Sequence, residues 1–199
     1  MRALIEHSLE PDSPFEVVLV ASDKPDALGL TLARELKVPT RVLLPSHYPE
    51  RIAYDHALGA LIQEYSPDLI VLAGFMRILS ADFVRAFEGR ILNIHPSLLP
   101  KFPGLHTHRR VLLAQEKEHG ATVHFVTTEL DAGAPIIQSR IPVNPDDDER
   151  SLAARVQATE HRIYPLAVQW YAEGRLRYIN QQARFDSKVL GEPLQCAQQ

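Results

Sequence analysis

A short apolar run that ends abruptly in polar residues is the feature of this sequence that most restricts its fold. Residues 91–94 read Ile-Leu-Asn-Ile and are followed at once by His95 and Pro96. This pattern predicts a buried strand that delivers polar side chains at its end. Asn93 and His95 are two positions apart, so on a strand their side chains point to the same side. An amide that can donate to a developing oxyanion then lies beside an imidazole that can handle a proton.

Strands and helices alternate along the first half of the chain. The predicted helices cover 1–9, 27–36, 49–65 and 81–87, and the predicted strands cover 15–20, 40–44, 69–72 and 91–94. This alternation predicts an α/β fold with a doubly wound, mostly parallel sheet. Such sheets bind ligands outside the carboxyl ends of their strands, which is where Asn93, His95, Gly74 and Met76 fall.

The second half of the chain has a different character. The predicted elements are a pair of antiparallel strands over 122–127 and 136–143, a long helix over 151–174 capped by Ser151 or the aspartates before it, a strand over 176–178, and a hairpin around residues 186–188. We expect one domain over 1–180, N-terminally short, and a polar C-terminal tail over 181–199.

Composition excludes several functional classes. The net charge is −4 with no dense Lys/Arg stripe, which argues against a nucleic-acid-coating protein. The single cysteine, Cys196, allows neither a disulfide framework nor a CxxC metal site. No apolar stretch approaches the roughly 20 residues that span a bilayer. We therefore expect a cytoplasmic protein that acts on small molecules, without nucleic acid or membrane partners.

A carboxylate follows in a turn 36 residues after His95, at Asp131 in the stretch Glu-Leu-Asp-Ala-Gly over 129–133. Asn, His and Asp in one cleft are the parts required for acyl transfer to an amine. Taken alone, His95 could equally be a satisfied histidine at a strand end, and Asp131 an ordinary turn residue before Gly133. Spacing does not separate these interpretations.

The same residues resemble a known family. The pattern Asn93-x-His95-x-Ser-Leu-Leu-Pro over 93–100, followed by Asp131-x-Gly133, is similar to the signature of the folate-dependent formyltransferases. Stretches over 72–80, 101–108 and 120–125 resemble the branch that formylates glycinamide ribonucleotide, and the likeness runs from residue 1 to about 180. The resemblance implies a Rossmann-like fold. It also implies transfer of a formyl group from 10-formyltetrahydrofolate to the amine of that nucleotide in purine biosynthesis, with no metal.

The resemblance also implies a role for individual residues. Asn93 would hold the formyl oxygen, His95 would handle the proton, and Asp131 would favour the charged form of His95 and order a water. The folate-binding set is Arg51, Met76, Arg77, Ile78, Leu79, Asn93, Thr127, Thr128, Glu129, Leu130 and Asp131. The nucleotide-binding set is Gly74, Met76, Pro96 and Glu160, and His106 and His124 are expected to support the cleft. On sequence alone, Arg51 and Glu160 could also be solvated helix charges.

A phosphate-binding loop is not visible. A protein of this fold is expected to begin with a strand and a Gly-rich loop, but here a helix comes first. The two closest glycines, at 120 and 133, are thirteen positions apart, too far for a Gly-rich phosphate cradle. The sequence therefore looks short by about one strand and one loop. Three explanations of the absent strand and loop are open: a misassigned start, a shortened chain, or a paralogue without phosphate binding.

Four alternatives stay open. They are a 10-formyltetrahydrofolate deformylase, a methionyl-tRNA formyltransferase, a non-catalytic folate-binding paralogue, and a zinc site built from His106, His108, His119 and His124. The deformylase and the tRNA enzyme would carry additional domains, and the histidines lack a supporting Cys or an HExxH helix. A homodimer is also left open.

Overall fold

The computed structural model of the protein describes residues 1–196. Its helices are α1 (Arg2–Ser8), α2 (Leu28–Glu35), α3 (Arg51–Tyr65), α4 (Ala81–Ala86), α5 (Thr107–Leu113) and α6 (Glu149–Ala172). Its strands are β1 (Val20–Ser22), β2 (Thr40–Val42), β3 (Ile70–Leu72), β4 (Ile91–His95), β5 (Glu118–Phe125), β6 (Pro135–Pro142), β7 (Leu176–Ile179), β8 (Gln182–Phe185), β9 (Lys188–Val189) and β10 (Leu194–Cys196).

Five strands form the central sheet, in the order β10-β6-β5-β4-β3. β3 runs parallel to β4 and β10 parallel to β6, whereas β5 is antiparallel to both of its neighbours. β1 and β2 form a parallel pair of their own, with no backbone ladder to β3 among residues 1–196. The predicted α/β class, with parallel strands first and antiparallel strands later, is confirmed.

The first strand lies later in the chain than the sequence predicts. The apolar run predicts a strand over 15–20, but β1 begins at Val20 and ends at Ser22. Its partner β2 starts only at Thr40, because Lys37 before it has a left-handed backbone and Pro39 has no N–H to donate. The Pro39 carbonyl accepts the first hydrogen bond, from the Val20 N–H. Residues 15–19 therefore lack a partner strand on this side and form no ladder.

The main core lies between the central sheet and α6. Val123, Phe125 and Ile136 from the sheet and Leu152 and Ile163 from the helix are all fully buried. α6 begins with a capping box, in which the Asp148 carboxylate accepts the Ser151 N–H and the Ser151 hydroxyl accepts the Asp148 N–H. The predicted start near these residues is confirmed.

A tyrosine of α6 ties the helix to the neighbouring strands β3 and β4. The hydroxyl of Tyr164 lies 2.8 Å from the carbonyl oxygen of Leu72 in β3 and 2.9 Å from that of Leu92 in β4. Leu92 directly precedes Asn93, and Leu72 is paired with Asn93 in the β3–β4 register. α6 therefore fixes the position of the strand ends that carry the predicted site.

The last part of the chain forms a small sheet of its own, β7-β8-β9. The predicted hairpin around residues 186–188 is confirmed, because Phe185 pairs with Lys188 and both Asp186 and Ser187 have positive φ. β10 then returns to the central sheet beside β6. The division into a domain over 1–180 and a tail over 181–199 stays a prediction. Within residues 1–196, no helix is long and apolar enough to cross a membrane.

Candidate active site

Asn93 lies on β4 opposite His124 of β5. The Nδ1 atom of His124 donates to the carbonyl of Phe125 at 2.9 Å, so its Nε2 is the acceptor nitrogen when the ring is neutral. Burial lowers the pKa of His124, which favours that neutral ring. The Asn93 Nδ2 atom, 3.2 Å away, then donates to His124 Nε2. An amide nitrogen carries two protons, and this bond uses one of them.

His95, at the end of β4, is only 6% exposed. Its Nε2 atom lies 3.0 Å from the carbonyl oxygen of Phe102, which can only accept, so Nε2 carries a proton. Its Nδ1 atom lies 3.5 Å from Oδ2 of Asp131. Both ring nitrogens thus face oxygen acceptors, and Nδ1 is the nitrogen directed at a carboxylate.

Asp131 lies in a tight turn between β5 and β6 and has a left-handed backbone with φ +52°. Its Oδ2 accepts the N–H of Gly104 at 2.8 Å, and its Oδ1 lies 3.9 Å from His124 Nε2. Gly133 allows this turn to approach β5, since a Cβ there would lie 1.8 Å from the carbonyl oxygen of Phe125. The structure therefore brings Asn93, His95 and Asp131 together, as the sequence predicted.

The loop that follows His95 is anchored by a buried hydroxyl. Thr122 Oγ1 donates to the Ser97 carbonyl at 2.6 Å and accepts from the Leu99 N–H at 3.1 Å and from Gln138 Nε2 at 3.0 Å. One donor and two acceptor positions of the hydroxyl are all used. Gln138 Nε2 also contacts the Leu99 carbonyl, at 2.8 Å. This network fixes the backbone that includes Pro96.

A cavity of about 600 Å³ lies at the ends of β1 and β3, and its lining includes neither Pro96 nor Glu160. It is lined by the ends of β1 and β3, among them Ser22, Gly74 and Met76, and by Met1. Two of the four residues predicted to bind the nucleotide, Gly74 and Met76, therefore share one cavity. Glu160 of α6 is half-buried, and burial raises the pKa of its carboxyl group, an effect that the Met1 amino group opposes.

Three of the residues predicted to bind folate are exposed apolar side chains. Met76 is 75% exposed, Ile78 56% and Leu130 57%, values that are high for apolar side chains. Arg77 stacks on Tyr54, with its Cζ 4.7 Å from the ring centroid. Of the remaining residues, Leu79 packs into the α3–α4 core, Thr127 donates to the Glu129 carbonyl, and Arg51, Thr128 and Glu129 are exposed.

Two backbone groups of the site were missed by sequence reasoning, the carbonyl of Phe102 and the N–H of Gly104. The Pro103–Gly104 pair indicates a turn, which was the available signal. His124 supports Asn93 as expected, but His106 is exposed at the start of α5. His108 and His119 bond to each other at 3.0 Å. Among residues 1–196 no group of three or more His, Cys, Asp or Glu side chains could hold a metal ion.

Known proteins are similar to this chain over most of its length. The sequence profile of the formyl transferase family matches residues 1–168. The phosphoribosylglycinamide formyltransferase of Escherichia coli K12 is 52% identical over 171 residues, which is 86% of this chain and 81% of that protein. The enzyme of the same name from Haemophilus influenzae is 42% identical over 190 residues, covering 96% of this chain and 90% of that protein.

Solved structures give the same result. The phosphoribosylglycinamide formyltransferase of Coxiella burnetii, solved in complex with CHES, superposes with a TM-score of 0.91 at 44% identity. The superposition covers 97% of this chain and 92% of that one. With a profile match over most of its length and relatives above 40% identity, this chain belongs to the formyl transferase family.

Proposed function

We propose that this protein transfers a formyl group from 10-formyltetrahydrofolate to the amine of glycinamide ribonucleotide, a step of de novo purine biosynthesis. The observation that carries the proposal is the grouping of the Asn93 amide with His95 and Asp131. In this group, His95 Nδ1 and Asp131 Oδ2 lie 3.5 Å apart. The names of the similar enzymes support transfer to the amine rather than hydrolysis by a deformylase.

The chemistry follows from the position of each group. The substrate amine attacks the formyl carbon, a new C–N bond forms, and negative charge develops on the formyl oxygen. The second N–H of Asn93 donates to that oxygen. His95 Nε2 is held by the Phe102 carbonyl, so the proton that can move is the one at Nδ1, next to Asp131. His95 and Asp131 carry the proton from the amine to the folate nitrogen, N10, as the old C–N bond breaks.

The residues present fit a reduced folate. A pterin needs an apolar slot with polar groups at its edge. Met76, Ile78 and Leu130 supply exposed apolar surface, and the backbone of 127–131 supplies polar groups. We assign Arg77, Leu79, Thr127, Thr128 and Glu129 to the same slot, Asn93 and Asp131 to its reactive end, and Arg51 to a carboxylate of the ligand.

The nucleotide is proposed to occupy the cavity beside β1 and β3. Gly74 and Met76 line this cavity, and Pro96 follows the catalytic strand. The carboxylate of Glu160 can accept hydrogen bonds from two vicinal hydroxyls of the ribose. We further propose that the enzyme acts in the cytoplasm on these small molecules without nucleic acid or membrane partners. A homodimer stays a prediction.

Incubation of the purified chain with 10-formyltetrahydrofolate and glycinamide ribonucleotide tests the function. Formation of the formylated nucleotide is followed, with folate alone as the hydrolysis control. We expect turnover that requires the amine and that falls by about 10²- to 10⁴-fold in His95→Ala, the usual contribution of a proton-transfer group. His161→Ala, at an exposed histidine of α6, is the matched control and should leave turnover unchanged.

Other outcomes would contradict the proposal in distinct ways. Formate release without the amine would identify a hydrolase. Folate binding without any turnover would identify a non-catalytic paralogue. Turnover that survives His95→Ala undiminished would remove His95 from the chemistry while leaving the transferase activity intact.

A further inference from the structure

The loop over residues 102–105 supplies both backbone groups that hold the His95–Asp131 pair. The Phe102 carbonyl accepts from His95 Nε2 at 3.0 Å, and the Gly104 N–H donates to Asp131 Oδ2 at 2.8 Å. The loop thus contacts both members of the pair on either side of the 3.5 Å gap between them. Its position decides which nitrogen of His95 keeps a proton.

Residues 102–105 are not part of a β-strand, so no strand pairing fixes the conformation of this loop. Phe102 has φ +55° and Gly104 φ +78°, so one non-glycine residue is in the left-handed region. Such a conformation persists only where surrounding contacts fix it. A Cβ added at Gly104 would have no heavy atom of residues 1–196 within 4 Å, so close packing does not fix the loop at this position.

Besides the packing of Phe102 against the main core, Arg110 of α5 contacts the loop. Its Nη1 donates to the Pro103 carbonyl at 2.5 Å and lies 3.4 Å from the Leu105 carbonyl. Its guanidinium also stacks on the Phe102 ring, with Cζ 5.4 Å from the centroid. One side chain therefore contacts three of the four residues in the loop, on both sides of Gly104.

We propose that Arg110 is a positioning residue that clamps the 102–105 loop and thereby fixes the tautomer of His95. With the clamp in place, the Phe102 carbonyl keeps the proton on Nε2 and leaves Nδ1 to exchange its proton beside Asp131. Without the Arg110 clamp, the neutral His95 ring carries its one proton on Nδ1, where it is donated to the Asp131 carboxylate. In this tautomer Nδ1 can no longer accept a proton. This inference rests on the proposed function for its catalytic consequence but not for its structural one.

The test pairs Arg110→Lys and Arg110→Met with Arg109→Lys and Arg109→Met, at the exposed neighbouring arginine of the same helix. Lysine keeps the charge but cannot form the planar fork or the same stacking. The first readout is ¹⁵N NMR of the histidine rings at a pH where His95 is neutral, with the His95 signal identified by its loss in His95→Gln. The second readout is kcat for formyl transfer, with a thermal melt as the folding control.

We expect the wild type and both Arg109 variants to show the Nε2-protonated ring. Both Arg110 variants should show the Nδ1-protonated ring and a kcat lower by about tenfold, the effect of losing one hydrogen bond of ordinary strength. Arg110→Lys should be affected less than Arg110→Met. The melting temperature should stay within about 3 °C of the wild type, as expected for a half-exposed side chain.

An unchanged tautomer in both Arg110 variants would overturn the proposal, whatever happens to kcat. A lower kcat that accompanies a lower melting temperature and an unchanged tautomer would show a merely structural role, and would also overturn it. If the wild type shows no formyl transfer, the proposed function fails, but the NMR comparison still decides whether Arg110 positions His95.

Discussion

At the scale of single residues, Asn93 has an amide side chain that is unfavourable in a buried strand but is required by the proposed site. Asparagine is unfavourable inside a buried strand, because its amide must be hydrogen-bonded. His124 on the neighbouring strand solves this by accepting one N–H at 3.2 Å. Because burial lowers the pKa of His124, the ring remains an acceptor rather than competing as a donor. The partner that makes Asn93 tolerable is thus also the partner that orients it.

Gly133 is a position at which one added methyl group should disturb the candidate site. In Gly133→Ala the new Cβ would lie 1.8 Å from the Phe125 carbonyl oxygen, so the turn that carries Asp131 must move away from β5. A displacement of about 1 Å at a catalytic group can cost about 10²-fold in rate. We expect kcat to fall by about that factor, measured as amine-dependent formyl transfer.

Gly191→Ala is the matched control for this change, because no atom of the described residues 1–196 lies within 4 Å of a Cβ at that position. It should keep wild-type activity and stability. Wild-type kcat in Gly133→Ala would show that β5 and the turn can separate without moving Asp131. That result would contradict the positioning of the carboxylate described above.

At the scale of elements, patterns with a strong local cause were predictable. The two-residue period placed Asn93 and His95 on one side of β4, and the aspartates and Ser151 marked the start of α6. The short helix α5 was missed, because it has seven residues, begins after the left-handed His106 and has no side-chain cap. The Phe102 carbonyl was unpredictable for a different reason, since any residue has a carbonyl and only its placement by α5 brings it to His95.

Tyr164 packs its ring into the main core and also bonds to the sheet through its hydroxyl, and the hydroxyl can be removed without changing the ring. Tyr164→Phe leaves the carbonyls of Leu72 and Leu92 without that donor in a buried place. An unmade buried hydrogen bond costs about 1–3 kcal/mol. We expect the free energy of unfolding in urea to fall by this amount.

The control for this measurement is Tyr178→Phe, whose ring also packs against the main core, 5.0 Å from that of Phe125. It should change the free energy of unfolding by less than Tyr164→Phe does. Equal stability of Tyr164→Phe and the wild type would mean that water or a shifted backbone satisfies both carbonyls.

At the scale of the whole molecule, buried histidines predict a loss of stability in mild acid. Burial lowers the pKa of His119 to about 4 from its usual 6.5, and it lowers those of His108 and His124 as well. Below pH 6.5 these histidines therefore bind protons in the unfolded chain but stay neutral in the folded chain. The stability is fully present above about pH 6.5 and is lost as the pH falls toward 4. For His119 alone the loss between pH 7.5 and pH 5 is about 2 kcal/mol.

Urea unfolding at these two pH values in His119→Gln measures this contribution. The variant cannot titrate at that position, so the difference in unfolding free energy between the two pH values should shrink by about 2 kcal/mol. His161→Gln, on the surface of α6, should keep the wild-type difference. A variant as acid-sensitive as the wild type would assign the pH dependence to other groups.

The two carbonyls that the Tyr164 hydroxyl contacts lie far back along the chain, 92 and 72 residues before it. At about 5–20 residues per second, a ribosome needs about 5 to 18 s to synthesise the 92 residues between Leu72 and Tyr164. During that time β3, and β4 once it is made, exist without their contact to Tyr164 of α6, and their apolar faces are available to other nascent chains or to chaperones. The newly synthesised chain therefore passes through a vulnerable period whose length is set by translation speed. Slow codons between positions 72 and 164 should lower the yield of folded protein without altering the finished molecule.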